Sequence, residues 1–151
     1  MTQSDQARES FGRMMWITPD RVFYVGLLGA PTERVMGSLM VYVAVEGSIR
    51  VSLGDGLWQE TEMAVVPPYL GHKVLSDARE ISVIKIEAET VDRADLPEIL
   101  RASGAVDAPQ FVQRVRRCGR DLCALAAEGA PMPADFDRLF FDTALPPRRL
   151  D

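Results

Sequence analysis

The sequence predicts a mainly β domain that closes into an antiparallel barrel and carries two or three α-helices at its C-terminal end. Two observations predict it. Up to Ala88, short β-branched and aromatic runs alternate with turns rich in Gly, Pro, Asp and Ser. After Glu89 the hydrophobic spacing changes from two to between three and four, the period of a helix.

Residues 1–12 are polar and aperiodic and read as a flexible arm. Eight strands are then expected, at Met14 to Ile17, Arg21 to Leu28, Met36 to Glu46, Ser48 to Leu53, Leu57 to Glu60, Met63 to Val66, His72 to Leu75 and Ile81 to Ala88. Gly47 and Asp55-Gly56 mark hairpin turns within this series. Asp95 to Ala102 reads as a short helix with Asp95 as N-cap and Pro97 in its first turn.

A longer helix begins near Ala108, where Phe111, Val115, Cys118, Leu122 and Leu125 recur at spacings of four, three, four and three. That is a seam of about two heptads, suited to one packing partner. The partner is either the same helix in a second subunit, making these five residues a dimerisation surface, or the short helix and barrel of the same chain. Gly129-Ala130-Pro131-Met132-Pro133 breaks the pattern before a third helix, Ala134 to Phe141. The tail from Leu145 to Asp151 is extended and basic, with no cap or packing signal, and looks like the start of a linker.

The chain has 151 residues, enough to bury roughly two thirds of its unfolded surface without staples. A formal net charge of −5 argues against direct phosphate binding by this piece, which would need clustered Lys and Arg. No leader-like start and no apolar run of spanning length is visible, so a cytoplasmic protein without membrane attachment is expected. Cys118 and Cys123 lie five apart, about 140° around a helix, poorly placed to share a metal or bridge. They are read first as half-buried thiols and second as a redox pair.

No catalytic constellation stands out. His72 is the only histidine, and Glu60 with Glu62, like Glu87 with Glu89, reads as a solvated same-face pair. The chain is therefore not expected to be an enzyme. His72 is read as a hydrogen-bonded barrel histidine or a ligand contact.

The strand pattern, with Gly47, Asp55-Gly56 and Pro67 to His72, resembles the cupin family and implies its jelly-roll barrel. In that family two motifs supply three histidines and a glutamate to a divalent metal. Carried over by position, the glutamate falls at Met40 and two histidines near Arg34 and Met36, so only His72 keeps its place. Thr61, Tyr69 and Ser76 replace the glycines and asparagine of the second motif. A lone imidazole beside thioethers is no site for a first-row metal, so neither metal nor other cofactor is expected. Met36 and Met40 share a strand face and would line a soft pocket or fill the core.

The order of parts narrows the resemblance. An arm, the barrel with Phe23-Tyr24-Val25-Gly26 and Val43 to Arg50, the Val65 to His72 turn, the helices and the Leu145 to Asp151 tail are similar to the N-terminal half of AraC-type (AraC/XylS) bacterial transcription regulators. That resemblance implies an arm at 1–12, a barrel at 13–90, a helical dimerisation segment at 91–143 and, from 144, a linker to a DNA-binding domain absent from this chain. It implies a small-molecule effector, a homodimer, and DNA contact only through that absent domain. Arg34, Met36, Met40, Tyr42, Arg50, Tyr69 and His72 are the candidate ligand contacts. A stand-alone metal-free isomerase or epimerase, and a barrel that only dimerises, remain as alternatives.

Overall fold

Alternation along short β-branched runs builds an antiparallel two-sheet barrel over residues 12–54 and 56–149, which this computed structural model describes. In chain order the strands are β1 (Met14–Ile17), β2 (Arg21–Leu27), β3 (Ser38–Ala44), β4 (Ile49–Ser52), β5 (Trp58–Thr61), β6 (Met63–Val66), β7 (Lys73–Ser76), β8 (Glu80–Glu87) and β9 (Gly104–Ala105). The larger sheet runs β1-β2-β8-β3-β6-β9 and the smaller β5-β4-β7. Eight strands match the expected ones to within a few residues at each end. Two-residue β9 pairs with β6 and is too short to carry any alternation. Residues 1–11, which hold nearly all of the expected arm, and Asp55 lie outside the described residues.

The register of the larger sheet sorts its side chains into cross-strand rows. Met15, Tyr24, Val83, Tyr42 and Ala64 form one row on the inner face, and Ile17, Val22, Lys85, Met40 and Val66 the next. On these rows Met40, Tyr42, Ala64, Val66 and Val83 pack with Ile49 and Val51 of β4 and Val74 of β7 to form the barrel core. The opposite face carries Trp16, Phe23, Ile84, Val41 and Val65, which lie under the helices in a second core. Both faces of the larger sheet are thus covered. This is why β3 is buried at every position and reads as one continuous apolar run.

Helix α1 (Pro109–Ala127) opens with proline at its first turn, where no N–H is needed. Its seam faces this chain's own sheet: Val115, Cys118 and Leu122 are buried in the second core, with Phe111 and Leu125 packed at its margin. This chain's own sheet thus takes the place of the expected second-subunit partner at Val115, Cys118 and Leu122, while Phe111 and Leu125 stay partly buried. Gly119 completes the contact, since a Cβ there would lie 3.6 Å from Phe23 and Val25. Arg116 secures the same helix to the barrel by donating to the carbonyls of Ala44 (2.9 Å) and Gly47 (3.0 Å).

The helix expected at Asp95 to Ala102 is replaced by 3-10 turns at Arg93–Asp95 and Glu98–Arg101. Pro97 explains the change: it forces Leu96 into an extended conformation, ψ 146°, and so separates the turns instead of opening a helix. Asp95 caps nothing with its side chain. The last helix, α2 (Phe136–Phe141), starts two residues later than expected because Asp135 is its N-cap, accepting from the Arg138 N–H at 3.2 Å. Phe136 and Phe140 set their rings 4.7 Å from Trp16 and 4.8 Å from Phe23.

Buried Arg21 ties three segments together. Its guanidinium donates to both oxygens of Asp137 on α2, at 2.9 and 3.3 Å, and to the Thr90 hydroxyl at 2.8 Å. Asp137 also accepts from the Leu145 N–H at 3.1 Å. Despite its lack of sequence signals, the tail docks here: Leu145 is buried, and the Arg148 N–H donates to the Thr90 carbonyl at 2.9 Å.

Candidate functional site

Between the inner rows and the loop that enters β3 lies a cavity of about 270 Å³. Met36, Met40 and Tyr42, expected from the sequence to line it, do so, together with Arg34. The remaining wall is mostly apolar, from Leu28, Ile81 and Val83, with Tyr24 and Lys85 adding polar ends. His72 stands behind this wall, 1% exposed.

The bonding of His72 fixes its protonation. Its Nδ1 lies 2.9 Å from the Leu70 carbonyl, which can only accept, so Nδ1 carries the hydrogen. Nε2 is then an acceptor, and the Tyr42 hydroxyl donates to it at 2.7 Å. Burial pulls the imidazole below its ordinary 6.5, against the opposing effect of the Leu70 carbonyl, and the Arg34 charge lowers it further. Burial also pushes the Tyr42 phenol up to about 12, although Arg34 works in the other direction. At neutral pH the pair is a neutral, fully bonded unit.

Arg34 reaches the cavity through a backbone bridge. Its N–H donates to the His72 carbonyl at 2.8 Å, and the His72 N–H returns a bond at 3.0 Å, so an isolated β-bridge joins the segment before β3 to the residue before β7. The Arg34 Nε is buried and has no hydrogen-bond partner.

A cupin-type metal does not fit these residues. Both nitrogens of His72 are engaged, and the positions around it hold a guanidinium and two thioethers in place of imidazole and carboxylate. Among the described residues no three His, Cys, Asp or Glu side chains come together.

Two candidate contacts lie elsewhere. On β4, Ile49 and Val51 take the inward positions, so Arg50 points outward and pairs with Asp77 at 2.7 Å. Tyr69 sits in the Pro67–Leu70 turn at φ 65° and is 72% exposed, its N–H donating to the Met36 carbonyl at 2.7 Å. Conversely, the sequence reading passed over Lys85. It is the one charge inside Ile81 to Ile86, and period two places it with Ile81 and Val83, but alternation alone does not say that this face turns inward.

Cys118 and Cys123 are free and buried, and burial raises both thiols above their ordinary range, which disfavours the reactive thiolate. A second cleft of about 330 Å³ lies where Leu39 and Ile86 meet the 3-10 turns and the tail. Polar groups there are tied to one another, Arg93 donating to the Arg101 carbonyl at 2.8 Å and the Arg149 N–H to Asp92 at 3.2 Å. The barrel cavity sets Arg34 and Lys85, neither of them in an ion pair, against an apolar wall.

No family model matches the chain, and no curated protein matches it. Solved structures do. Protein NMB1881 from Neisseria meningitidis is 29% identical over 49% of this chain and 82% of its own, with a TM-score of 0.42. KdgF from Halomonas sp. is 18% identical over 50% of this chain and 78% of its own, TM-score 0.42. A cupin-2 domain containing protein from Shewanella frigidimarina is 17% identical over 58% and 92%, TM-score 0.40. No helix among the described residues is long and apolar enough to cross a membrane.

Proposed function

We propose that the barrel binds a small molecule and serves as the effector-sensing part of an AraC-type transcription regulator, in which a separate helix-turn-helix domain contacts DNA. One observation carries the binding claim: Arg34, Met36 and Met40, which the cupin resemblance sets at metal-ligand positions, line a cavity of about 270 Å³ with mostly apolar walls and a few polar groups. The acidic charge of the chain suits a division of labour in which DNA is touched elsewhere.

The fold supplies a route for a signal. β3 presents Met40 and Tyr42 to the cavity and Leu39, Val41 and Val43 to the second core, so a ligand that shifts this strand also shifts the bed of α1. A homodimer remains part of the proposal, but it uses a surface other than the α1 seam.

A thermal-shift screen of metabolites tests the binding claim. At least one should raise the melting temperature of the native protein and leave that of Met40→Trp, whose indole fills the cavity, unchanged. No hit, or an equal shift in both proteins, would overturn it. The regulatory claim is tested by reading the gene past Asp151: two helix-turn-helix patterns are expected, and a stop codon would leave only a binding barrel.

A further inference from the structure

We infer that the molecule taken up by the barrel is an apolar carboxylate, its anionic end held by Arg34 and Lys85. This deepens the proposed function and rests on the cavity being a ligand site.

The first ground is where Lys85 stands. It interrupts an inner row otherwise made of Ile17, Val22, Met40 and Val66. Lys85 is half-buried there, and an ammonium among apolar side chains is best met by a counter-charge or a hydrogen-bond acceptor. Among the described residues it has neither. Arg21, Arg50, Arg114, Arg116, Arg138 and Arg148 pair with carboxylates, whereas Lys85 and Arg34, like the exposed Lys73, Arg79, Arg117 and Arg120, do not.

The second ground is Arg34 itself. A buried guanidinium nitrogen without an acceptor is costly, and Arg34 is one of the residues that line the cavity. Nearby acids are turned away from it. Glu33, its chain neighbour, lies against Gly71, and Glu87, two residues beyond Lys85 on β8, accepts from the Ser38 hydroxyl at 3.0 Å. Among the described residues no carboxylate lines the cavity.

The third ground is the state of the two phenols. The Tyr42 hydroxyl donates to His72, and the Tyr24 hydroxyl donates to the Leu27 carbonyl at 2.6 Å. The donors left to a ligand therefore belong to the two cations. A sugar-like polyol needs acceptors as well as donors, and this wall offers it few. A carboxylate needs donors only, and a guanidinium can meet it with two parallel bonds. Met36, Met40, Ile81 and Val83 then receive an aliphatic or aromatic body.

Calorimetric titration of the full chain with benzoate, phenylacetate, hexanoate and octanoate, each against its primary amide, tests this. At least one acid should bind ten times or more tighter than its amide and weaken as salt rises. Lys85→Met and Arg34→Met, whose melting curves confirm folding, should each weaken that acid at least tenfold and leave the amide within twofold. If a variant does not fold, Lys85→Gln or Arg34→Gln takes its place. Amides binding as tightly as acids, or neutral metabolites binding where no acid does, would overturn the anion while the cavity remains a ligand site. Failure of acids, amides and the metabolite panel together would overturn both.

Discussion

His72 shows how far one side chain can be read from chemistry alone. A carbonyl on Nδ1 dictates the tautomer, the tautomer dictates that Tyr42 donates, and burial keeps the ring neutral. The consequence for stability has a definite sign. Unfolded, the imidazole titrates near 6.5, and folded it titrates lower, so between these values the unfolded chain binds more protons. Stability attributable to His72 is thus complete above pH 6.5 and is lost as the pH falls toward the folded value. Melting temperatures measured from pH 8 down should bend downward below 6.5 in the native protein, and that bend should be absent from His72→Gln. Because the chain has a single histidine, a bend that persists in the variant would disprove the assignment. Of the lining residues, Arg34, Met36 and Met40 were reached through the cupin resemblance, Met36 and Met40 also through period two, and Tyr42 as an aromatic with a polar tip. Lys85 was not, since both faces of β8 are apolar and alternation cannot say which one turns inward. Arg50 was ambiguous for a related reason, its face being set by where β4 packs.

Strands were the most legible elements, each bounded by turn residues whose conformations leave little choice. The helical region was harder because its outcome depends on tertiary partners. A two-heptad seam states that α1 packs on something, and only the apolar outer face of the larger sheet decides that the partner lies in the same chain. Val115→Asp should therefore unfold the protein instead of dissociating a dimer, since Val115 is fully buried. A loss of more than about 3 kcal/mol is expected for an unpaired buried charge, read from urea melts with sedimentation in parallel. A folded monomer obtained from a native dimer would contradict this. Gly119→Ala points the other way. Its Cβ would meet Phe23 and Val25 at ordinary contact distance, and alanine gains about 0.5–1 kcal/mol over glycine inside a helix, so the variant should melt higher.

At the level of the whole molecule, Arg21 and Asp137 join β2, the Thr90 turn, α2 and the tail at one point. Asp137→Ala leaves a buried guanidinium short of its counter-charge and frees the Leu145 N–H, and should cost about 3–5 kcal/mol in denaturant melts. A cost below about 1 kcal/mol would mean that water replaces the carboxylate readily. Pairing across 116 residues has no local signature, which is why neither this ion pair nor the docked tail could be found along the sequence.

The doubly covered sheet also sets how the protein can be cut. A fragment stopping at Glu89 would keep every strand of the barrel wall except β9, yet Phe23, Val41, Val65 and Ile84 would become a greasy outer skin open to water. Such a fragment should self-associate on expression, and adding back residues 90–149 should restore solubility. The barrel cavity is thus portable only together with the helices on the far side of its wall.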